Sequence, residues 1–162
     1  MDVHAALARV GVRVPDVLLP RPGTDLNAWA VVACDQFTSQ PEYWQKVADL
    51  VGDKPSTLNL IFPEVYLEQP KPDVRITAIN EAMGRYLADG VTDSHPSTMV
   101  LVRRTTALGA VRWGLITALD LEHYSWQPDA RTLIRATEGT ILDRLPPRVM
   151  IREAAAMELP HI

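Results

Sequence analysis

Asp73 to Leu119, DVRITAINEAMGRYLADGVTDSHPSTMVLVRRTTALGAVRWGLITAL, changes its hydrophobic period halfway along. In the first part Ile76, Ile79, Met83 and Leu87 recur at helical spacing, which predicts an amphipathic helix over 73–88 closed by Gly90. After residue 97 the period drops to two. Met99, Leu101 and Arg103 alternate with Val100, Val102 and Arg104, and a second run follows over 110–119. Ala107-Leu108-Gly109 between the runs reads as a tight turn, so 98–119 is predicted to be a hairpin. A long helix running straight into a hairpin makes the class α+β (mixed α/β). The expectation is a mixed sheet carrying a β-hairpin, with flanking helices.

Upstream, Val3 to Val10 reads as a short helix stopped near Gly11, and 12–22 holds three prolines and must be extended or turning. Trp29 to Cys34, WAVVAC, is a continuous apolar run of the kind that forms a buried strand. Ser39 with Glu42 three positions on has the spacing of a capping box. It predicts a helix through Tyr43, Trp44, Val47, Leu50 and Val51, ended by a left-handed Gly52. Ser56 to Leu67 is apolar but interrupted by Pro63, against a regular strand. Downstream, 120–131 reads as a polar loop, Leu133 to Ala136 as a short strand, and Pro147 to about Met157 as a helix.

The chain has 162 residues, 47% of them hydrophobic and 22% charged, ordinary values for one soluble globular domain. A net charge of −4 counts against a general nucleic-acid binder. The charge is nonetheless uneven. All three lysines lie at or before Lys71, whereas five arginines outnumber the acids between Arg131 and Arg152. Such a local basic patch suits a small anionic ligand. Cys34 is the only cysteine, so no internal disulfide can form and a reducing compartment is expected. No apolar run approaches the roughly 18–20 residues a membrane span needs. With no signal peptide in view, the cytoplasm is the expected location.

The densest chemistry lies in Leu133 to Glu153, LIRATEGTILDRLPPRVMIRE. Pro146 and Pro147 suit a first helical turn, where an amide hydrogen would go unused. Arg148 and Arg152 then fall on one face, four residues apart. With Arg135, Arg144 and the helix start they make a candidate anion site, and Gly139 would let a ligand approach the backbone. Arg135 and Thr137 share one face of the short strand and Glu138 the other, so the chain must turn near Glu138 for them to converge. The plainer reading is a solvated basic face with ion pairs such as Asp143 with Arg144 or Arg148. Asp35 and Gln36, at the end of the expected buried strand, occupy a position where ligands bind open sheets. Their plainer reading is a turn cap. Asp120 and Glu122 after a strand are candidate magnesium ligands together with Asp35, though acids there are common turn formers. The four histidines have no zinc-site spacing, Cys34 reads as a small buried hydrophobe, and Glu64 as an exposed lone acid.

Four blocks, WAVVACDQFTSQPEYW, STLNLIFPEVYLE, LDLEHY and LIRATEGTILDRLPPRVMIRE, carry a resemblance. The chain resembles the bacterial and archaeal proteins grouped as domain of unknown function 1015, nearly end to end. Members continue past the Leu-Pro-His motif, so the expectation is one domain over 1–162 or the N-terminal part of a longer one. Members often sit beside serine-biosynthesis genes. The resemblance also implies a likeness to the ParB/sulfiredoxin-like fold, which includes kinases of free serine. It implies a phosphotransferase acting on a hydroxyl of a small metabolite, with ATP or ADP and magnesium as cofactors. The family has no settled catalytic residue to carry over, so the roles come from chemistry. Arg135, Arg144, Arg148 and Arg152, with Thr137 and Gly139, would hold phosphate oxygens, and Glu138 and Asp35 would serve as acid/base or hydroxyl-orienting groups. The absence of a glycine-rich loop with lysine excludes an ordinary P-loop. The alternative is a regulatory module that senses a phosphorylated metabolite or nucleotide without turning it over. DNA binding, from the ParB likeness, is opposed by the acidic net charge.

Overall fold

The computed structural model describes residues 2–68, 72–136, 139 and 141–159. In chain order the elements are α1 (Val3–Ala8), β1 (Val12–Arg13), β2 (Val17–Pro20), α2 (Leu26–Trp29), α3 (Pro41–Val51), α4 (Pro72–Ala88), β3 (Thr92–His95), β4 (Val100–Thr105), β5 (Val111–Ile116), β6 (Ala118–Leu119), β7 (Tyr124–Ser125), β8 (Ile134–Arg135) and α5 (Leu145–Glu153), with short 3-10 turns between them. This is an α+β protein. Its strands pair two by two among the described residues, where the sequence had suggested one mixed sheet. The chain divides into two compact units, Met1–Leu19 with Ser94–Thr140, and Pro20–Asp93 with Ile141–Ile162. No helix among the described residues is long and apolar enough to cross a membrane.

The first unit is built on the expected hairpin. β4 and β5 pair antiparallel from Val100↔Ile116 to Thr105↔Val111. The turn closes where Thr106 N–H donates to Ala110 O at 2.9 Å, with Gly109 at φ 81°, a left-handed value that costs glycine little. Leu101, Trp113 and Leu115 share one face of this hairpin and are exposed. β1 pairs antiparallel with β6, and β7 parallel with β8.

The second unit holds the main core. Ile76, Ile79, Ala82, Met83 and Tyr86 of α4 are buried against Leu60 and Phe62. Burying each large apolar side chain contributes about 1.5–3 kcal/mol. The predicted stripe is right except at its end, where Leu87 is 41% exposed and Tyr86 takes the inward position. The Tyr86 hydroxyl accepts from Ser56 N–H (2.8 Å) and from Asn59 Nδ2 (3.0 Å), and donates to Ser56 O (3.1 Å). A polar tip in a core is tolerated because each of these groups finds a partner.

Two local predictions fail. Trp29 to Cys34 is not a strand: α2 ends at Trp29 and the rest is irregular, with Val32 and Ala33 exposed. Its apolar run pairs with no strand among the described residues, and only Cys34 within it is buried. The capping box also does not form. α3 starts at Pro41 with Gln40 as N-cap and no side-chain cap bond, so proline at the helix start sets the boundary instead. Gly52 does close α3 with a positive φ of 54°.

Candidate functional site

The arginine-rich stretch starts its helix as the prolines require. α5 opens at Leu145 with prolines in its first turn, two residues earlier than the sequence suggested, and ends at Glu153. Its inward residue Ile151, followed by Ala155, Met157 and Leu159, packs on the core formed by α4. That packing sets the rotation of α5 and so aims Arg148 along the same side.

What Arg148 meets there is Glu64. The Glu64 carboxylate is 3% exposed and accepts from Arg144 Nη1 on one oxygen and from Arg148 Nη2 on the other. Its backbone N–H donates to Cys34 O at 2.8 Å, which ties the 60–66 segment to the end of the Trp29–Cys34 run. A carboxylate taken out of water costs several kcal/mol unless it is paired and hydrogen-bonded. Two guanidinium groups meet that requirement, and each stays partly in solvent, at 42% and 37% exposure. The exposed lone acid expected at this position is therefore a buried, doubly paired one. Asp143, the local partner expected for these arginines, is not the one they use.

Four residues further along α5, Arg152 donates through Nε and Nη2 to both oxygens of Glu158, at 3.0 and 2.6 Å. Arg148 and Arg152 together edge a cavity of about 270 Å³, whose apolar wall includes Cys34, Leu60, Phe62 and Ile151. Burial pushes the Cys34 thiol up from its usual range, and the nearby Arg148 charge opposes that only in part. A buried protonated thiol fits the reading of Cys34 as a small hydrophobe. Asp35, next in the chain, is exposed and accepts from Gln36 Nε2 at 3.4 Å.

The remaining candidates belong to the first unit or lie outside the described residues. Arg135 is exposed in β8, opposite Ser125. Gly139 is exposed, and a Cβ added there would meet nothing within 4 Å, so no packing demands glycine. Thr137 and Glu138 lie outside the described residues. Asp120 accepts from Arg13 Nη2 at 2.8 Å and caps the 3-10 turn Leu121–His123 by accepting from Glu122 N–H. The Arg13 hydrogen bond, then the cap, holds its carboxyl below the ordinary aspartate range. Among the described residues no three His, Cys, Asp or Glu side chains converge to hold a metal ion. Asp120 is already engaged as a cap and as the partner of Arg13.

The sequence reading missed Glu64. A signal was present: an acid inside the apolar run LIFPEVYL needs a cation if that run is buried, and the 131–152 stretch held arginines without enough local acids.

A small mixed α+β scaffold with an arginine-paired buried carboxylate beside an amphiphilic cavity defines the class. Residues 18–162 match the family described as "Protein of unknown function (DUF1015)", and the chain belongs to that family. No curated protein and no solved structure matches the chain, so the ParB/sulfiredoxin likeness stands on resemblance alone.

Proposed function

We propose that this protein handles a small phosphorylated metabolite at the cavity edged by Arg148 and Arg152, and that its chemistry is transfer of the terminal phosphoryl group of ATP or ADP to a hydroxyl group, with ADP or AMP as the leaving group and the hydroxyl proton released. The observation that carries the reading is the pair of arginines one helical turn apart on a cavity whose lining is otherwise apolar except for Glu158, the partner of Arg152. Arginine forks suit phosphate oxygens two at a time. The volume, about 270 Å³, lies just under the usual range of roughly 300–1,000 Å³ for ligand pockets and suits a small metabolite as the phosphoryl acceptor. In this reading Arg148 and Arg152 hold the phosphate, and Asp35, exposed beside the cavity-wall residue Cys34, orients the hydroxyl.

Calorimetry with phosphoserine and inorganic phosphate tests the binding half. Arg148→Ala is expected to weaken binding about tenfold, the loss of one charged hydrogen bond. Equal affinity in variant and parent would remove Arg148 from the site. Incubation with ATP or ADP, magnesium and serine, followed by detection of phosphoserine, tests the chemical half.

One observation favours a second reading, in which the site senses the metabolite without turning it over. Both arginines already hold an internal carboxylate, Arg148 on Glu64 and Arg152 on Glu158. A ligand would have to exchange with one of them, and that exchange is a ready-made signal. Binding without product selects this reading.

A further inference from the structure

On the other face of α4 lies a second, larger cavity of about 630 Å³, in the middle of the range of roughly 300–1,000 Å³ that binds small molecules. Its apolar lining includes Trp44, Leu58, Ile61 and Ile79, and its polar lining includes Arg75. Arg75 differs from the other arginines of this chain. Of the half-buried arginines, Arg144 and Arg148 share the Glu64 carboxylate, whereas Arg75 has no acidic partner and no hydrogen bond among the described residues. Its guanidinium lies over the Tyr66 ring at 4.2 Å and near the Phe62 ring at 5.6 Å. A cation–π contact of this kind offsets about 0.5–2 kcal/mol of desolvation but is not a hydrogen bond. The five N–H donors around its edge are left for something else. Burial also lowers the Arg75 pKa from its ordinary value, as expected for a desolvated cation.

We infer that this cavity is a binding site for a small organic anion, a carboxylate or phosphate monoester, whose charged end meets Arg75 and whose apolar or aromatic body lies along α4. The direction of the body follows from the helix. Arg75, Ala78, Ile79, Ala82 and Arg85 line the cavity from the same side of α4, so the apolar part of the groove runs from Arg75 toward Arg85, about 15 Å along the axis. Arg85 has only a loose pairing with Glu81, at 3.8 Å, and marks the far end of the groove as cationic too. The two cavities share Ile61 in their linings but no charged residue, so the anion-binding test of each stands or falls separately.

The experiment titrates the protein with 4-phenylbutyrate, phenyl phosphate and uncharged 4-phenylbutanol, reading the Trp44 indole N–H by NMR and the affinity by calorimetry. Both anions are expected to shift the Trp44 resonance and to bind about tenfold more tightly than the alcohol, the worth of a charged hydrogen bond. The arm that binds more tightly separates carboxylate from phosphate as the preferred head. Arg75→Gln is expected to bring the anions down to the alcohol's affinity, and Ala78→Phe, which fills the groove and leaves Arg75 in place, to abolish binding of all three. Arg148→Ala is expected to change none of these titrations. An alcohol that binds as well as the anions, a Trp44 signal unmoved at millimolar probe, or unaltered binding in Ala78→Phe would each overturn the assignment, whether or not Arg75→Gln folds.

Discussion

Arg148 donates to the buried carboxylate of Glu64 across 84 positions of sequence, and this contact joins the start of α5 to the 3-10 turn Glu64–Tyr66. Arg144 closes on the second oxygen of the same group. The carboxylate is therefore the common centre of the unit's densest charged cluster, and every candidate role for the two arginines must account for it.

Removal of the Glu64 charge leaves two cations half-desolvated and a polar side chain in a dry place. Glu64→Gln is expected to destabilise the protein by about 1–3 kcal/mol, less than for a fully buried pair because both arginines reach solvent. Urea unfolding of the parent, Glu64→Gln, Arg148→Ala and the double variant measures it. Strictly additive losses would show that the pair is not coupled.

The same substitution separates a ligand site from a structural pair. With Glu64 uncharged, Arg148 no longer has an internal anion to leave, and affinity for inorganic phosphate should rise several-fold while Arg148→Ala lowers it. Calorimetry at fixed ionic strength reads both. A fall in affinity for both variants would mean that Glu64 and Arg148 matter to the cavity only through its shape.

Acid should weaken the Arg13–Asp120 pair in a defined window. The folded-state pKa of Asp120 is lowered, first by the Arg13 hydrogen bond, so its contribution is present above the ordinary aspartate value of about 3.9 and is lost as pH falls through the folded value. NMR of the Asp120 carboxyl carbon should place its midpoint below that of an ordinary aspartate in the parent and return it upward in Arg13→Ala. The stability difference between the two proteins should shrink as pH drops. A midpoint unmoved by the substitution would assign the shift to the cap alone.

Tyr86 offers a test of the core. Tyr86→Phe keeps the ring but strands the Ser56 N–H, and Ser56 is completely buried. An unsatisfied buried donor costs about 1–3 kcal/mol, and urea unfolding should show a loss in that range with little change in slope. A loss near zero would require water to take over the hydroxyl's position.

The helix over 72–88, the hairpin over 100–116 and the proline-started α5 were all legible from residue order, because period and proline geometry act within a few residues of where they are read. Gly52 and Gly90 were legible for the same reason, each adopting the positive φ that its place after a helix demands. The expected strand at Trp29–Cys34 failed because a strand needs a neighbour, and an apolar run cannot announce whether one exists. Arg144 and Arg148 were picked out as candidate phosphate ligands, with Asp143 as the local ion-pair partner of the plainer reading, and the carboxylate they hold is Glu64.

Residue order alone thus determined the class of fold, the main helices and hairpin, and the presence of an arginine cluster, all of which depend on short-range periodicity and composition. Tertiary structure alone decided that Glu64 is buried between two arginines and that Arg75 lies over the Tyr66 ring with no acid paired to it among the described residues. Burial and charge pairing are properties of side chains brought together from distant positions, and their energies are set by the surroundings that folding creates.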